Sequence, residues 1–430
     1  MSIITVQIGQ CGNQIGTQLF STIYDDIFSK DTGIQASKNE DYMDAALNRF
    51  FSCEGSVPEA RAVMVDMEQK VISQAVSAAK RTGRWRFASG QQYVRGSGSG
   101  NNWARGFAAH GPRASDAVLD MLRHESEKCD RADGFLFATS LAGGTGSGVG
   151  ARLCARVREE HPRAVVVCHA VAPYAAGEVA VQSYNALLTL ASLRRGGADA
   201  VVLSANDDLH AVCATTPRGG GGREPVSFDD LNAVACRQLA AALLPAEGAP
   251  PSLSDVVDAL APHADYRLLS MRHAPQPTAA ALPFTEVAWT PLLRRLRRMH
   301  AATSARDEGF ERESGRVRSV ADLLTVRGDG ADDADCDAIA DHRGAVWAPP
   351  GERVRVRRCR RRYGGLRRSA VLVSNSQAVL GTVEGITEKA WRLFASRAYL
   401  HQYVACGLTE DDFVQSFADV EQVIHSYRHL

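Results

Sequence analysis

The first half of the chain is predicted to form a parallel, doubly wound α/β sheet, with further mixed and helical structure behind it. Three observations carry that expectation. Short apolar runs alternate with helix-length amphipathic stretches; glycine-rich loops follow two of the runs; and 430 residues exceed what a single core usually supports. The runs are residues 3–8, 62–65, 134–139, 164–169 and 198–204. Sheets of this class bind ligands beyond the carboxyl ends of their strands, so the loops after these runs are where a site is expected.

Composition narrows the function. Hydrophobic residues make up 45% and charged residues 23%, as in ordinary soluble proteins, and the formal net charge is zero. No global charge draws the chain to nucleic acid or to an anionic membrane, so neither is expected as a partner. The start, MSIITVQIGQCG, lacks a basic segment followed by an apolar core, and no run of 18 apolar residues occurs. A cytoplasmic location is expected. The ten cysteines form no C-x-x-C pair and read as reduced residues, not zinc ligands or disulfides.

Four regions are expected: 1–227 as the α/β domain that carries the glycine-rich loops, 228–261 as a long connecting helix with the segment after it, 262–378 as a second, mixed domain, and 379–430 as helical. The boundary near 228 follows the breaker segment PRGGGGREP; apolar residues at Leu231, Val234, Ala235, Leu239 and Leu243 then repeat with helical spacing.

Residues 142–148 (AGGTGSG) follow the strand-like run ending at Thr139 and precede a helical pattern over 149–158. Glycines at 143, 144, 146 and 148 let successive backbone N–H groups turn toward an anion, and the helix adds its positive end. Thr145 and Ser147 supply hydroxyls. A lone glycine-rich loop is weak evidence, but Gly9-Gln-Cys-Gly-Asn-Gln-Ile-Gly16 holds the corresponding place after the first strand. Neither loop is a Walker loop, which needs Gly-Lys-Ser/Thr, nor a G-x-G-x-x-G dinucleotide fingerprint, so a nicotinamide oxidoreductase is disfavoured.

GQCGNQIG, GSGNNWARG, AGGTGSG, RAVMVDME, QSYNALLTL and LVSNSQ together resemble segments of the tubulin superfamily, over nearly the whole chain. Within it, MSIITVQIGQCGNQIG, AGGTGSG and FASRAYLHQY lean toward the delta branch; the gamma branch is the next nearest. The resemblance implies the tubulin-like fold, GTP or GDP as ligand and Mg2+ as its ion. It implies Gln10 near the phosphates and metal, Cys11 against the nucleotide and Gln14 near the base. It places Asp66 and Glu68 at magnesium, and Ser99, Gly100 and Asn101 at the terminal phosphate. Gly143, Gly144, Thr145, Gly146 and Ser147 hold phosphates, Ser140 and Glu178 lie near the ribose, Asn206 and Asn232 read guanine, and Phe228 stacks on it. Gln182 replaces a usual glutamate.

Aligning Ala261-Pro262 with the family's Val-Pro puts Asp255, in the helical pattern 253–260, at the position of an acid that acts on a neighbouring subunit's GTP. Its bland role is to favour a helix N-terminus. Pro250, Pro251 and Ser252 replace the residues that usually accompany this acid. By resemblance, partners are alpha-, beta- and epsilon-type tubulins and centriolar or basal-body proteins, the location is cytoskeletal at centriole, centrosome or basal body, and the role lies in triplet microtubules and cilia. The alternatives are a GTP-bound structural cap or adaptor that does not hydrolyse, and a gamma-like nucleating subunit. Nine arginines between Arg353 and Arg368 are expected to face an acidic protein surface. The chain ends at Leu430 without a glutamate-rich tail, so traffic of motors and modifying enzymes is expected to be reduced.

Overall fold

The structure, a computed structural model, describes residues 1–29, 31–177, 179–215, 225–246, 252–277, 282, 285–301, 317–340 and 353–430. Strand β1 (Ser2–Ile8) runs straight into α1 (Gly9–Phe28), followed by α2 (Ala36–Phe50), β2 (Phe51–Ser52), β3 (Glu59–Ala60), β4 (Ala62–Asp66), α3 (Gln69–Thr82), β5 (Arg86–Phe87) and β6 (Gln92–Val94). A π-helical turn at Arg105–His110 opens α4 (Gly111–Glu127); β7 (Ala132–Ser140) then leads to a second π-helical turn, Gly144–Val149, and α5 (Gly150–Glu160). Next come β8 (Val165–Ala172), α6 (Gln182–Ser192), β9 (Ala200–Ala205), α7 (Asn206–Thr215), α8 (Phe228–Leu243) and α9 (Leu253–Leu260). The remainder comprises β10 (Leu268–Ala274), α10 (Trp289–Ala301), β11 (Ser319–Gly328), α11 (Asp337–Ala340), β12 (Val354–Cys359), β13 (Arg368–Ser376), α12 (Leu380–Ala395), α13 (Leu400–Val404) and α14 (Glu410–Arg428).

The order β12-β11-β13-β10-β9-β8-β7-β1-β4-β6 makes one ten-stranded sheet. From β6 to β10 every pair is parallel; β13 is antiparallel to both β10 and β11, and β12 is parallel to β11. Strands β10 to β13 therefore extend the first sheet, joined through Leu268 and Leu269 opposite Val201 and Val202.

Strand β1 shows how sequence dictates the layers. Ile4, Val6 and Ile8 enter a core with α4, α5, α6, α12 and α14, while Ile3 enters the opposite core with α1, α2, α3, α8 and α9. The two-residue repeat buries both faces, as a parallel sheet requires. The predicted strand at 198–204 begins at Ala200 instead, because Asp199 turns its carboxylate to Arg158 and to the Val166 N–H. Among the described residues, no helix is long and apolar enough to cross a membrane.

Part of the arginine-rich segment, expected to face an acidic partner, is turned to carboxylates of its own chain. Arg361 is buried: it pairs with Asp26 at 2.9 Å, donates to the carbonyls of Asp26 and Ser29, and lies 4.0 Å from the Tyr42 ring centre. Arg362 and Arg367 converge on Asp329, and Arg360 pairs with Asp332. Much of the charge is thus neutralised within the chain, partly by the acidic loop that precedes it. Arg361→Ala leaves Asp26 buried without its cation and is expected to cost about 3–5 kcal/mol in denaturant unfolding. Arg360→Ala, at an exposed pair, is expected to change little.

Candidate nucleotide-binding site

A cleft of about 470 Å³ opens at the carboxyl ends of β1, β4, β7, β8 and β9. Its size falls in the range of small-ligand sites. Gln10, Cys11, Gln14, Asp66, Glu68, Ser99, Gly100, Asn101, Ser140, Gly143, Gly144, Thr145, Gly146, Asn206, Phe228 and Asn232 all line it. Residues from six separate segments, chosen on sequence, meet in one place.

Two helical starts supply the anion cradle. Helix α1 begins at Gly9 and the π-helical turn begins at Gly144, and no side chain caps either start. Side-chain caps are missing from α2, α3 and α12 too, so what singles out these two starts is their place in the lining of the cleft. Uncapped first-turn N–H groups are donors awaiting an anion, and both helical starts add positive potential. Gly9 has φ +74°, and a Cβ there would lie 2.8 Å from the Gly146 nitrogen, so the two loops touch backbone to backbone. The turn between β7 and Gly143 is ordered by the Ala142 N–H donating to Ser140 Oγ at 3.1 Å, and Thr139 Oγ1 donates to the Gly146 carbonyl at 2.5 Å.

Ser147 departs from expectation. It is fully buried and its hydroxyl donates to the Gly143 carbonyl, so it shapes the loop from beneath and does not line the cleft. Glu178 lies outside the described residues. Cys11 lines the cleft, but burial pushes its thiol up to about 12, which makes it a packing residue, not a nucleophile.

At one end Phe228 is 55% exposed, a large aromatic face left open at the cleft, with the Tyr174 ring 6.3 Å away. Tyr174 was not singled out on sequence. Asn206 and Asn232 line the same end, and neither amide has a hydrogen-bond partner within the chain among the described residues. Free amides can both donate and accept, as a purine edge requires. The Gln182 amide instead donates to the Tyr174 carbonyl at 2.8 Å, fixing the loop above it.

At the other end Asp66 is 4% exposed. Its Oδ1 accepts the Glu68 N–H at 3.0 Å, while buried Oδ2 has no partner among the described residues. Desolvation raises its pKa to about 6. A buried, unpartnered carboxylate oxygen beside the exposed Glu68 fits a hard cation that keeps several waters, which needs only one or two carboxylates. Among the described residues no group of three or more His, Cys, Asp or Glu forms a closed metal cage.

Asp255 stands elsewhere. It is exposed and occupies the third position of the α9 capping box: its carboxylate accepts the Ser252 N–H at 2.9 Å, and its own N–H donates to Ser252 Oγ. The Ser252 hydrogen bonds, then the charges of Arg357 and Arg355, hold its pKa low. The Leu253 N–H donates to Asp133 at 2.8 Å, so α9 starts beside the amino end of β7. The cleft lies past the carboxyl end of that nine-residue strand, roughly 26 Å away at about 3.3 Å per residue.

Sequence reasoning missed Asn185. Fully buried in α6, it donates to the carbonyls of Ala142 at 2.6 Å and Asn101 at 2.8 Å, tying the glycine loop to the 99–101 loop. An asparagine inside an otherwise apolar helical face was the available signal.

Topology and cleft define a doubly wound α/β protein with a glycine-lined cleft at the carboxyl edge of its parallel sheet. Residues 2–214 match the family described as Tubulin/FtsZ family, GTPase domain. The tubulin delta chains of Homo sapiens and Macaca fascicularis are 38% and 37% identical, with all of both chains covered. A tubulin beta-1 chain of Colletotrichum graminicola is 28% identical over 99% of this chain and 94% of its own. The chain belongs to the tubulin family. Within it, the similarity to these delta chains exceeds that to the beta chain.

The raised Asp66 pKa makes a stability prediction. Its folded pKa of about 6 lies above the ordinary 3.8, so its contribution is full below the latter and is lost as pH rises through about 6. In nucleotide- and metal-free protein, Asp66→Asn is therefore expected to raise unfolding free energy at pH 7.5 by on the order of 2–3 kcal/mol. The gain should shrink toward zero near pH 4, read by denaturant titration across pH.

Proposed function

We propose that this protein is a delta-type tubulin subunit that binds GTP with Mg2+ and hydrolyses it when a second subunit docks head to tail. The observation that carries the reading is the pair of uncapped helical starts at Gly9 and Gly144, facing a cleft whose far end offers an open aromatic and two free amides. Phosphates sit on the backbone donors, and the base lies by Phe228 with Asn206 and Asn232 at its edge. Asp66 and Glu68 hold the ion, which when bound offsets phosphate charge.

The opposite placement of Asp255 supports the hydrolytic part. An acid at the amino edge of the sheet cannot reach its own cleft, but it can reach the cleft of a copy or relative stacked below. There its carboxylate orients and activates the attacking water as the terminal phosphoryl group leaves. By similarity to delta chains, we place this activity at centrioles or basal bodies, with other tubulins and centriolar proteins as partners, in triplet microtubules and cilia.

A second reading is a non-hydrolysing GTP-bound cap. One observation favours it: the Asp255 carboxylate is engaged by Ser252 and lies near two arginines. Identifying the nucleotide on purified protein, then following its turnover with and without partner tubulins, separates the two. GDP accumulating only on assembly favours the enzyme; GTP persisting in the assembly favours the cap.

Asp255→Asn keeps an acceptor for the Ser252 N–H while removing the base. Assembly-stimulated turnover is expected to fall at least about 100-fold. Undiminished turnover in a fully assembled mutant would remove Asp255 from the mechanism.

A further inference from the structure

Helix α13 is tied to the phosphate loops through one side chain. Beyond the two carbonyls it binds, the Asn185 amide oxygen accepts the Trp103 N–H at 3.0 Å and the Tyr403 hydroxyl at 2.6 Å. All its hydrogen-bonding capacity is spent on three segments that are distant in sequence: 101–103, Ala142 and Tyr403. A second tie runs in parallel, from the Asn102 amide to the Gln402 carbonyl at 3.2 Å. Both ties are buried at their asparagine ends, where a broken hydrogen bond is not replaced by water.

Backbone strain marks the same two places. Among the described residues, the non-glycine positions with left-handed φ are Asn101 at +53°, Arg397 at +55° and Tyr399 at +58°. One lies in the loop whose carbonyl Asn185 holds; the others form the corner between α12 and α13. Such residues cost free energy and persist where surrounding structure over-determines them, often in segments with two arrangements. On its outer side α13 presents Val404, 48% exposed, with Tyr399 at its start 41% exposed.

We infer that Asn185 and Tyr403 couple the terminal-phosphate loop to α13, so that the presence or loss of the terminal phosphate is registered on the exposed face of that helix. The inference rests on the proposed reading of residues 99–101 as the terminal-phosphate loop. A shift of the Asn101 carbonyl forces the Asn185 amide to follow or to lose a buried hydrogen bond, and the Tyr403 hydroxyl follows with it. Because coupling is reciprocal, whatever fixes α13 also biases the cleft toward one nucleotide. Asn185 and Tyr403 are positioning residues: Tyr403 does not line the cleft.

The test uses the full chain loaded with GDP or with a non-hydrolysable GTP analogue, reading hydrogen exchange over residues 397–408 and the affinity for each nucleotide. Tyr403→Phe keeps the ring packed against Tyr184 and Phe413 and removes only the hydroxyl. Expected are nucleotide-dependent exchange in the wild type, its weakening in the variant, where only the Asn102–Gln402 tie remains, and a roughly three- to ten-fold change in the ratio of the two affinities. Wild-type exchange over 397–408 that is the same with either nucleotide overturns the coupling and leaves the cleft assignment standing. So does a variant that keeps the wild-type difference. Failure of the wild type to bind guanine nucleotide at all overturns both.

Discussion

A Cβ on Gly106 would lie 2.1 Å from the carbonyl oxygen of Gly144, a distance no real Cβ tolerates. The two π-helical turns cross there backbone against backbone, and the rest of the site depends on that approach. It brings the 99–101 loop within reach of the glycine loop, so that Ser99 and Thr145 hydroxyls stand 3.2 Å apart and one asparagine can bond to both loops. It also leaves the first N–H groups of the second turn without side-chain caps, free to receive an anion. π-helical turns recur at functional sites, and here their geometry brings loop backbones together that would otherwise stay apart.

The sheet then gives the molecule its polarity. Parallel strands put every loop of the cleft at one edge, and the same parallelism puts α9 and its acid at the other. A subunit built this way has its cleft at one end and, under the proposed function, the acid that acts on a neighbour's nucleotide at the opposite end. Head-to-tail stacking is the arrangement in which the two meet. The Ser252 hydrogen bonds, and after them the charges of Arg357 and Arg355 on the edge strand β12, favour the ionised form of Asp255.

What the sequence made legible was local. The glycine loops and the carboxylates Asp66 and Glu68 at the end of β4 are each encoded within a few residues, and all of them line the cleft; the Ser252–Asp255 capping box was not read. The arginine cluster was not legible, because its partners are far away in sequence: Asp26 is held by Arg361 from 335 residues along the chain. Ser147 read as a cleft donor because its position in the loop is right; only the helical rise turns its hydroxyl back to Gly143. Asn185 was hidden for a related reason. In QSYNALLTL it looks like one polar residue in an apolar helix, and its role arises only where α6, the two loops and α13 converge.

The most direct test of the account is the affinity of Gly143→Ala for GTP. Gly143 has φ −81° and ψ 171°, a conformation open to any residue, and an added Cβ meets no protein atom within 4 Å. The variant should keep the stability of the nucleotide-free protein. With phosphates lying on this loop, the methyl group enters their space, and GTP affinity should fall at least about ten-fold, or ~1.4 kcal/mol. Wild-type affinity in a folded Gly143→Ala protein would contradict the placement of the phosphates and with it the site as a whole.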